Sequence, residues 1–433
     1  MIWEGEYMSS ESVTERFLRY VKVDTQSSEE NSEAGKFPST DKQHNLAKML
    51  ADELKDIGVD DVFYDERYCY VYARIKNNSD NINIPTLAYI AHMDTSPEVS
   101  GKDVNPQIIR DYQGNDIVLG EGSLNADLAH RDGGDNAVRY VLSPREFPEI
   151  MQYKGQDIIT TDGTTLLGAD DKAGVAEIMT MADYLVSHPE IKHGDVAICF
   201  TPDEEVGAGV DHIDLNRLRA DYAYTVDGGG IGELEYENFN AASAVVNITG
   251  RNVHPGEAKG KMINAAIVAR EYDRRLTDRD RPEYTEGYEG FYHLTEINGC
   301  VESAQLKYII RDHNKQFFES KKRTMNQLAE IMNRELGKEL IHVEVKDQYY
   351  NMKDKLTDAM FLVDNAKLVM EDLGIKPVIS PIRGGTDGAR LSYMGLPCPN
   401  LCAGGHNFHG RYEFVCIQSM EKIVELLVKL VSF

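Results

Sequence analysis

What most limits how this chain can fold is a set of five short stretches between residues 92 and 410, each placing an acid or a histidine beside glycine or at the end of an apolar β-type run. They are His92-Met93-Asp94, Gly168-Ala169-Asp170-Asp171-Lys172, Asp203-Glu204-Glu205-Val206-Gly207, Val226-Asp227-Gly228-Gly229-Gly230 and His409-Gly410. Three of them follow runs that read as strands, at Ile84 to Ala91, Val196 to Phe200 and Tyr222 to Val226. Sheets of α/β proteins present ligands beyond the carboxyl ends of their strands, so the repetition predicts one site on one sheet. The block from 241 to 346 carries none of these stretches, yet the last lies beyond it, so the chain must leave the sheet and return. The expected fold is α/β: a main domain (1–240 and 347–433) with a central mixed sheet flanked by helices, and a smaller α+β domain (241–346) inserted as a lid.

The residue types point to chemistry. Two histidines and several carboxylates suffice for a pair of divalent ions, with one carboxylate spare as a base, which is the inventory of metal-assisted hydrolysis. His92 and Asp94 are two apart at a strand end and share a face, so one can bind metal while the other orients it. Asp170 and Asp171 head a helix predicted over 171–186, where one can bridge two ions and the other cap the helix. Glu204 and Glu205, read as an extended segment, point opposite ways, one to a metal and one to the water or substrate. Spacing does not say which, nor does it separate His406 from His409. The glycine run after Asp227 invites a dinucleotide-binding reading, but Gly230 and Gly232 call for glycine at 235, where Glu235 stands.

Elsewhere the chain reads as an ordinary globular protein. Ser12 and Glu15 form a capping box ahead of Val13, Phe17, Leu18 and Val21 at helical spacing. Residues 25–40 read as a loop, 45–57 as an amphipathic helix, 263–272 and a stretch ending near Leu336 as helices of the inserted block, and 417–430 as a closing helix. Strands are expected near 305–311 and 341–345, with a loop rich in Arg, Asp and Tyr before them. Net charge is -26, which repels phosphate backbones and argues against nucleic acid as a partner. No stretch approaches the ~20 apolar residues of a membrane span, and the start lacks a basic region followed by an apolar one, so a cytoplasmic location is expected. Six cysteines are too dilute for a disulfide framework and read as reduced core residues; Cys398 and Cys402 lack the second pair a zinc knuckle needs.

From about residue 13 onward the chain resembles the peptidase T family, tripeptide aminopeptidases among the dinuclear zinc exopeptidases. The resemblance rests on 91–97 (AHMDTSP), 166–174 (LLGADDKAG), 200–207 (FTPDEEVG), 225–230 (TVDGGG) and His254-Pro255-Gly256. It implies two Zn2+ ions per subunit held by His92, Asp170, Glu205, Asp227 and His409, with Asp170 bridging, Glu204 as general base and Asp94 as the orienting carboxylate. It further implies tripeptides as substrates, with His254 reaching the scissile carbonyl and Arg311 meeting the peptide carboxylate; Arg383 is a further substrate-binding candidate. A homodimer through the inserted domain is the expected assembly. A related carboxypeptidase or acyl-amino-acid amidohydrolase would use the same metals, and a non-catalytic metal-binding protein would keep the ligands without needing Glu204. Two departures from the family pattern are a short N-terminal extension and an Asp-, Gly- and Asn-rich insertion at 121–140.

Overall fold

A computed structural model describes residues 11–123, 137–277 and 279–432. The N-terminal extension and most of the 121–140 insertion lie outside the described residues, although the insertion's flanks, Ile117–Ser123 and Ala137–Leu142, pair as an antiparallel ribbon. The chain divides into two compact units. The first ends at Glu235 and resumes over Lys355–Ile379 and from Arg390; the second comprises Tyr236–Asp354 and Ser380–Ala389.

The first unit is built on an eight-stranded sheet in the order Asp61–Asp65, Tyr70–Ile75, Val196–Thr201, Leu87–His92, Tyr222–Gly228, Asn400–Cys402, Glu233–Glu235 and Val378–Ile379. Its centre is parallel, Leu87–His92 lying between Val196–Thr201 and Tyr222–Gly228, and its first strands are antiparallel, so the sheet is mixed. Every residue of Val196–Thr201 is buried, as expected of a strand covered on both faces. The Ala169–Ser187 helix is buried almost throughout and packs on the Leu87–His92 and Tyr222–Gly228 strands, with Val13–Tyr20 and Ile417–Leu430 against it. Leu46, Leu50 and Leu54 place one stripe of the Gln43–Ile57 helix in the core, each worth roughly 1.5–3 kcal/mol of burial.

A second sheet of very short strands was not anticipated: Gly405–His406, Phe414–Cys416, Ile158–Thr160 and Gln107–Ile109. The segment read as a loop at 25–40 contains a five-residue helix, Glu29–Glu33, which buries no residue and is capped by Ser28.

The second unit is α+β: a four-stranded antiparallel sheet in the order Phe291–Gly299, Ser303–Asp312, Asn240–Thr249, Ile341–Tyr349, with helices Ala265–Arg275 and Lys315–Leu336 on one core. Phe291–Gly299 replaces part of the expected loop. It is an edge strand whose second half is mostly exposed, so its polar sequence gives little strand signal. Cys300, in the turn after it, is exposed, correcting the expectation that all six cysteines are core residues; the other five are buried.

Candidate metal centre

The carboxyl ends of the central strands carry the first groups. His92 closes Leu87–His92, Asp227 stands in the last two residues of Tyr222–Gly228, and Val196–Thr201 leads into the turn bearing Glu204 and Glu205. Asp170 comes from the start of the Ala169–Ser187 helix and His409 from the loop between Gly405–His406 and Phe414–Cys416. Asp170 is the member they share. Its Oδ1 lies 2.8 Å from His92 Nε2 and its Oδ2 lies 3.2 Å from His409 Nε2. Each imidazole has a further carboxylate of its own: Asp227 Oδ1 at 3.3 Å from His92 Nε2, and Glu205 Oε2 at 2.9 Å from His409 Nε2. A Glu204 carboxylate oxygen joins the His92 and Asp227 donor atoms within 4.8 Å.

The backbone behind these groups is held by other acids. Asp94, wholly buried, lies 3.3 Å from His92 Nδ1, and its carboxylate accepts the N–H groups of Glu204 (3.0 Å) and Glu205 (3.2 Å). Glu204 and Glu205 do not sit on an extended segment. Pro202 cannot donate to a sheet ladder, Asp203 takes a left-handed conformation (φ 56°), and Glu204–Val206 follow as a tight turn. The Asp203 carboxylate accepts from Ser39 N–H (2.5 Å) and the Gln43 amide (2.7 Å), which anchors that turn to the N-terminal segment. Asp171 takes the capping work: its Oδ1 accepts from Gly174 N–H (3.2 Å) and its Oδ2 from His92 N–H (3.1 Å). Glu413 accepts from Leu167, Gly168 and Asp170 N–H at 2.7, 2.8 and 3.0 Å. No periodicity or motif in the sequence marks Glu413, and the 203–207 stretch includes Asp203 without pointing to this anchoring task. The two histidines at the far end separate cleanly: His406 Nε2 meets the Tyr153 hydroxyl at 2.6 Å, packed between Tyr153 and Phe414, while His409 joins the cluster.

The protonation balance is that of a site made for cations. Burial opposes charging His92, but Asp227 and Asp170 outweigh it and raise its pKa well above the ordinary value. Hydrogen bonds to Asp170 and Glu205 push His409 up to about 11. Burial, then the Asp170 charge, takes Glu205 up to about 8, and burial takes Asp227 up to about 6. Burial works to raise Asp170 as well, yet its hydrogen bonds to His409 and His92 hold it far below the carboxylate range. Protons thus stand where metal charge would otherwise compensate buried carboxylates. Glu205 Oε1 is buried with no hydrogen-bond partner among the described residues, an acceptor waiting for a ligand. Two imidazoles and three carboxylates are the donor set of a metal site, and these residues fit one.

The three substrate-binding candidates belong to the second unit. His254 is exposed and begins the Pro255–Glu257 turn, its Nδ1 accepting Gly256 N–H at 3.2 Å. Arg311 donates to the carbonyls of Ala242 (3.2 Å) and Ile310 (3.0 Å), lies 5.4 Å from the Tyr349 ring centre and pairs with no acid among the described residues. Arg383 is heavily engaged: it donates to the carbonyls of Thr285, Gly287 and Glu289 and to the Thr285 hydroxyl, and lies over Phe239 and Phe291.

Over 422 residues the chain is 55% identical to peptidase T of Clostridium acetobutylicum, covering 98% of both chains. The chain belongs to the peptidase T family. Residues 236–339 match the family model described as the peptidase dimerisation domain. Among solved structures, the aminopeptidase PepT of Bacillus cereus shares the fold at a TM-score of 0.72, with 23% identity and 97% of each chain covered. A Bacillus subtilis protein described as a dinuclear metal-binding peptidase of the M20 family superposes at 0.63, with 14% identity over 97% of this chain and 98% of that one.

Proposed function

We propose that the protein is a cytoplasmic, zinc-dependent aminopeptidase that releases the amino-terminal residue of tripeptides. The observation that carries this reading is the Asp170 carboxylate, with an imidazole at each oxygen and a further carboxylate beside each imidazole. Membership of the peptidase T family, tripeptide aminopeptidases, supplies the substrate class. His92 and Asp227 would hold one Zn2+, His409 and Glu205 a second, and Asp170 both. When bound, such ions supply Lewis acidity, lowering the pKa of water and polarising a carbonyl oxygen.

The chain's own residues do the rest. Glu204, beside His92 and Asp227, takes the proton from the attacking water and returns it to the leaving amine, the task of a general base that then acts as acid. Asp94 keeps the His92 ring oriented and its Nε2 directed at Asp170. Because His254 Nδ1 accepts a backbone N–H, the neutral ring carries its proton on Nε2. That proton is a donor suited to the scissile carbonyl. Arg311 offers to the peptide's carboxylate a guanidinium without an acid partner among the described residues, and Arg383 shapes the 285–289 loop while keeping a minor share in binding.

Two copies associate through the inserted domain, in keeping with the match over 236–339. That unit exposes Ile267, Ile297, Phe317 and Ile331 and leaves Phe291–Gly299 and Ile341–Tyr349 as sheet edges.

Product analysis tests the function. An unblocked tripeptide is expected to release its first residue and leave a dipeptide, whereas the N-acetylated peptide stays intact. Release of the carboxyl-terminal residue, or cleavage of the acetylated peptide, would instead support a carboxypeptidase or acyl-amino-acid hydrolase.

A further inference from the structure

We propose that Glu413 is a positioning residue for the metal centre, fastening the His409 loop to the segment that carries Asp170. The inference rests on the reading of these side chains as metal ligands. It does not depend on the substrate.

Two side chains of the His409 loop, one basic and one acidic, grip one stretch of backbone with opposite polarity. Arg411 donates to the carbonyl oxygens of Gly163 (2.9 Å) and Thr164 (2.7 Å). Two residues on, Glu413 accepts the three N–H groups of Leu167, Gly168 and Asp170, two on Oε2 and one on Oε1. Glu413 is only 1% exposed, so those amides have no water to turn to if it is lost. The loop between the two histidines is also tightly coiled: Asn407 and His409 are both left-handed (φ 57° and 61°), and the Asn407 amide donates to the Tyr412 carbonyl at 3.2 Å. His409 thus sits on a short bent loop whose far end is fastened to the segment from which Asp170 projects. Moving Glu413 moves both members of the His409–Asp170 pair relative to each other. His92 and Asp227 come from sheet strands and make none of these contacts.

Replacing carboxylate by amide keeps the shape and puts an NH2 where an acceptor stood, so Glu413→Gln leaves at least one of the three backbone N–H groups facing a donor. Groups that support a metal ligand from behind typically change metal affinity 10–100-fold when mutated. Zn2+ affinities measured by chelator competition on the full-length protein are expected to show two equivalents in the wild type. In Glu413→Gln the equivalent on the His409 side is expected to weaken about 10–100-fold, and the other, which shares only Asp170 with it, to weaken less. The visible spectrum of the Co2+-loaded variant is expected to differ from that of the wild type, and Glu413→Asp, which keeps the charge, to restore part of both affinity and spectrum. If the Gln variant does not fold, the Asp variant decides, with weaker binding on the same side expected. Unchanged affinities and spectrum in the folded Gln variant, or in the Asp variant where Gln does not fold, overturn the proposal. So does an equal loss of both equivalents accompanied by a lower melting temperature of the metal-free protein, which is the mark of a merely structural residue. A wild type that takes up fewer than two equivalents instead brings down the two-metal reading on which the proposal stands.

Discussion

Glu204 and Glu205 are neighbours with different surroundings, and that difference is the residue-scale core of the account. Glu205 touches His409, whereas Glu204 stands with His92 and Asp227. Replacing Glu204 by Gln is therefore expected to lower kcat by about 10²–10⁴-fold, the usual contribution of a general base, with metal content unchanged. Stopped-flow turnover and elemental analysis on one preparation check this; near-normal turnover at full metal loading would assign the base elsewhere. Protonation gives a second test. Metal binds the deprotonated ligands, and in the metal-free protein His409 holds its proton up to about 11 and Glu205 up to about 8. Metal uptake at pH 7 must then release protons, and affinity must fall as pH drops from 8 towards 6, further once Asp227 (about 6) protonates. Calorimetry in buffers of different ionisation enthalpy measures that release, and affinity that rises with acidity would contradict it. For Arg311, a hydrogen-bonded charge pair is worth about 1.5–3 kcal/mol, so Arg311→Ala is expected to lower kcat/KM for free tripeptides about ten- to hundredfold. C-terminally amidated tripeptides should change far less; equal losses would rule out a carboxylate clamp.

At the scale of elements, the site depends on how closely the Ala169–Ser187 helix approaches the strand that carries Asp227. A Cβ on Gly174 would fall against the Val226 carbonyl oxygen, far inside contact distance, and 2.5 Å from Asp171 Oδ1. Gly174→Ala is therefore expected to cost at least about 1–3 kcal/mol and to weaken metal binding by forcing helix and strand apart. Thermal melts with and without metal read both effects, and an unperturbed variant would mean that the packing is looser than the structure has it. The elements that deliver the ligands were readable because apolar runs ending in acid-and-glycine clusters are a strong signal. Ile417–Leu430 was equally plain from its repeating Val424, Leu427 and Val428. Ile158–Thr160 and Gly405–His406 were not, since two or three residues are too few to show a period. Within the site, sequence offered the pairs His92/Asp94, Asp170/Asp171, Glu204/Glu205 and His406/His409, and only tertiary contacts divide their work. Asp171 is taken by His92 and Gly174 N–H, and His406 by Tyr153. Glu413 was illegible for the same reason: its partners lie more than two hundred positions away in the chain.

For the whole molecule, every proposed metal ligand falls within one unit and the three substrate-binding candidates within the other. The matched dimerisation domain lies in the second unit, so sedimentation is expected to give twice the 48.7 kDa chain mass. A monomer at micromolar concentration would contradict the proposed assembly. No helix among the described residues is long and apolar enough to cross a membrane. The central claim is that one carboxylate, Asp170, joins two metal ions, and anomalous diffraction at the zinc edge from crystals grown with Zn2+ tests it most directly. Two peaks are expected, one between Asp170 and the His92–Asp227 pair and one between Asp170 and the His409–Glu205 pair; a single peak, or peaks that leave Asp170 unliganded, would contradict the account.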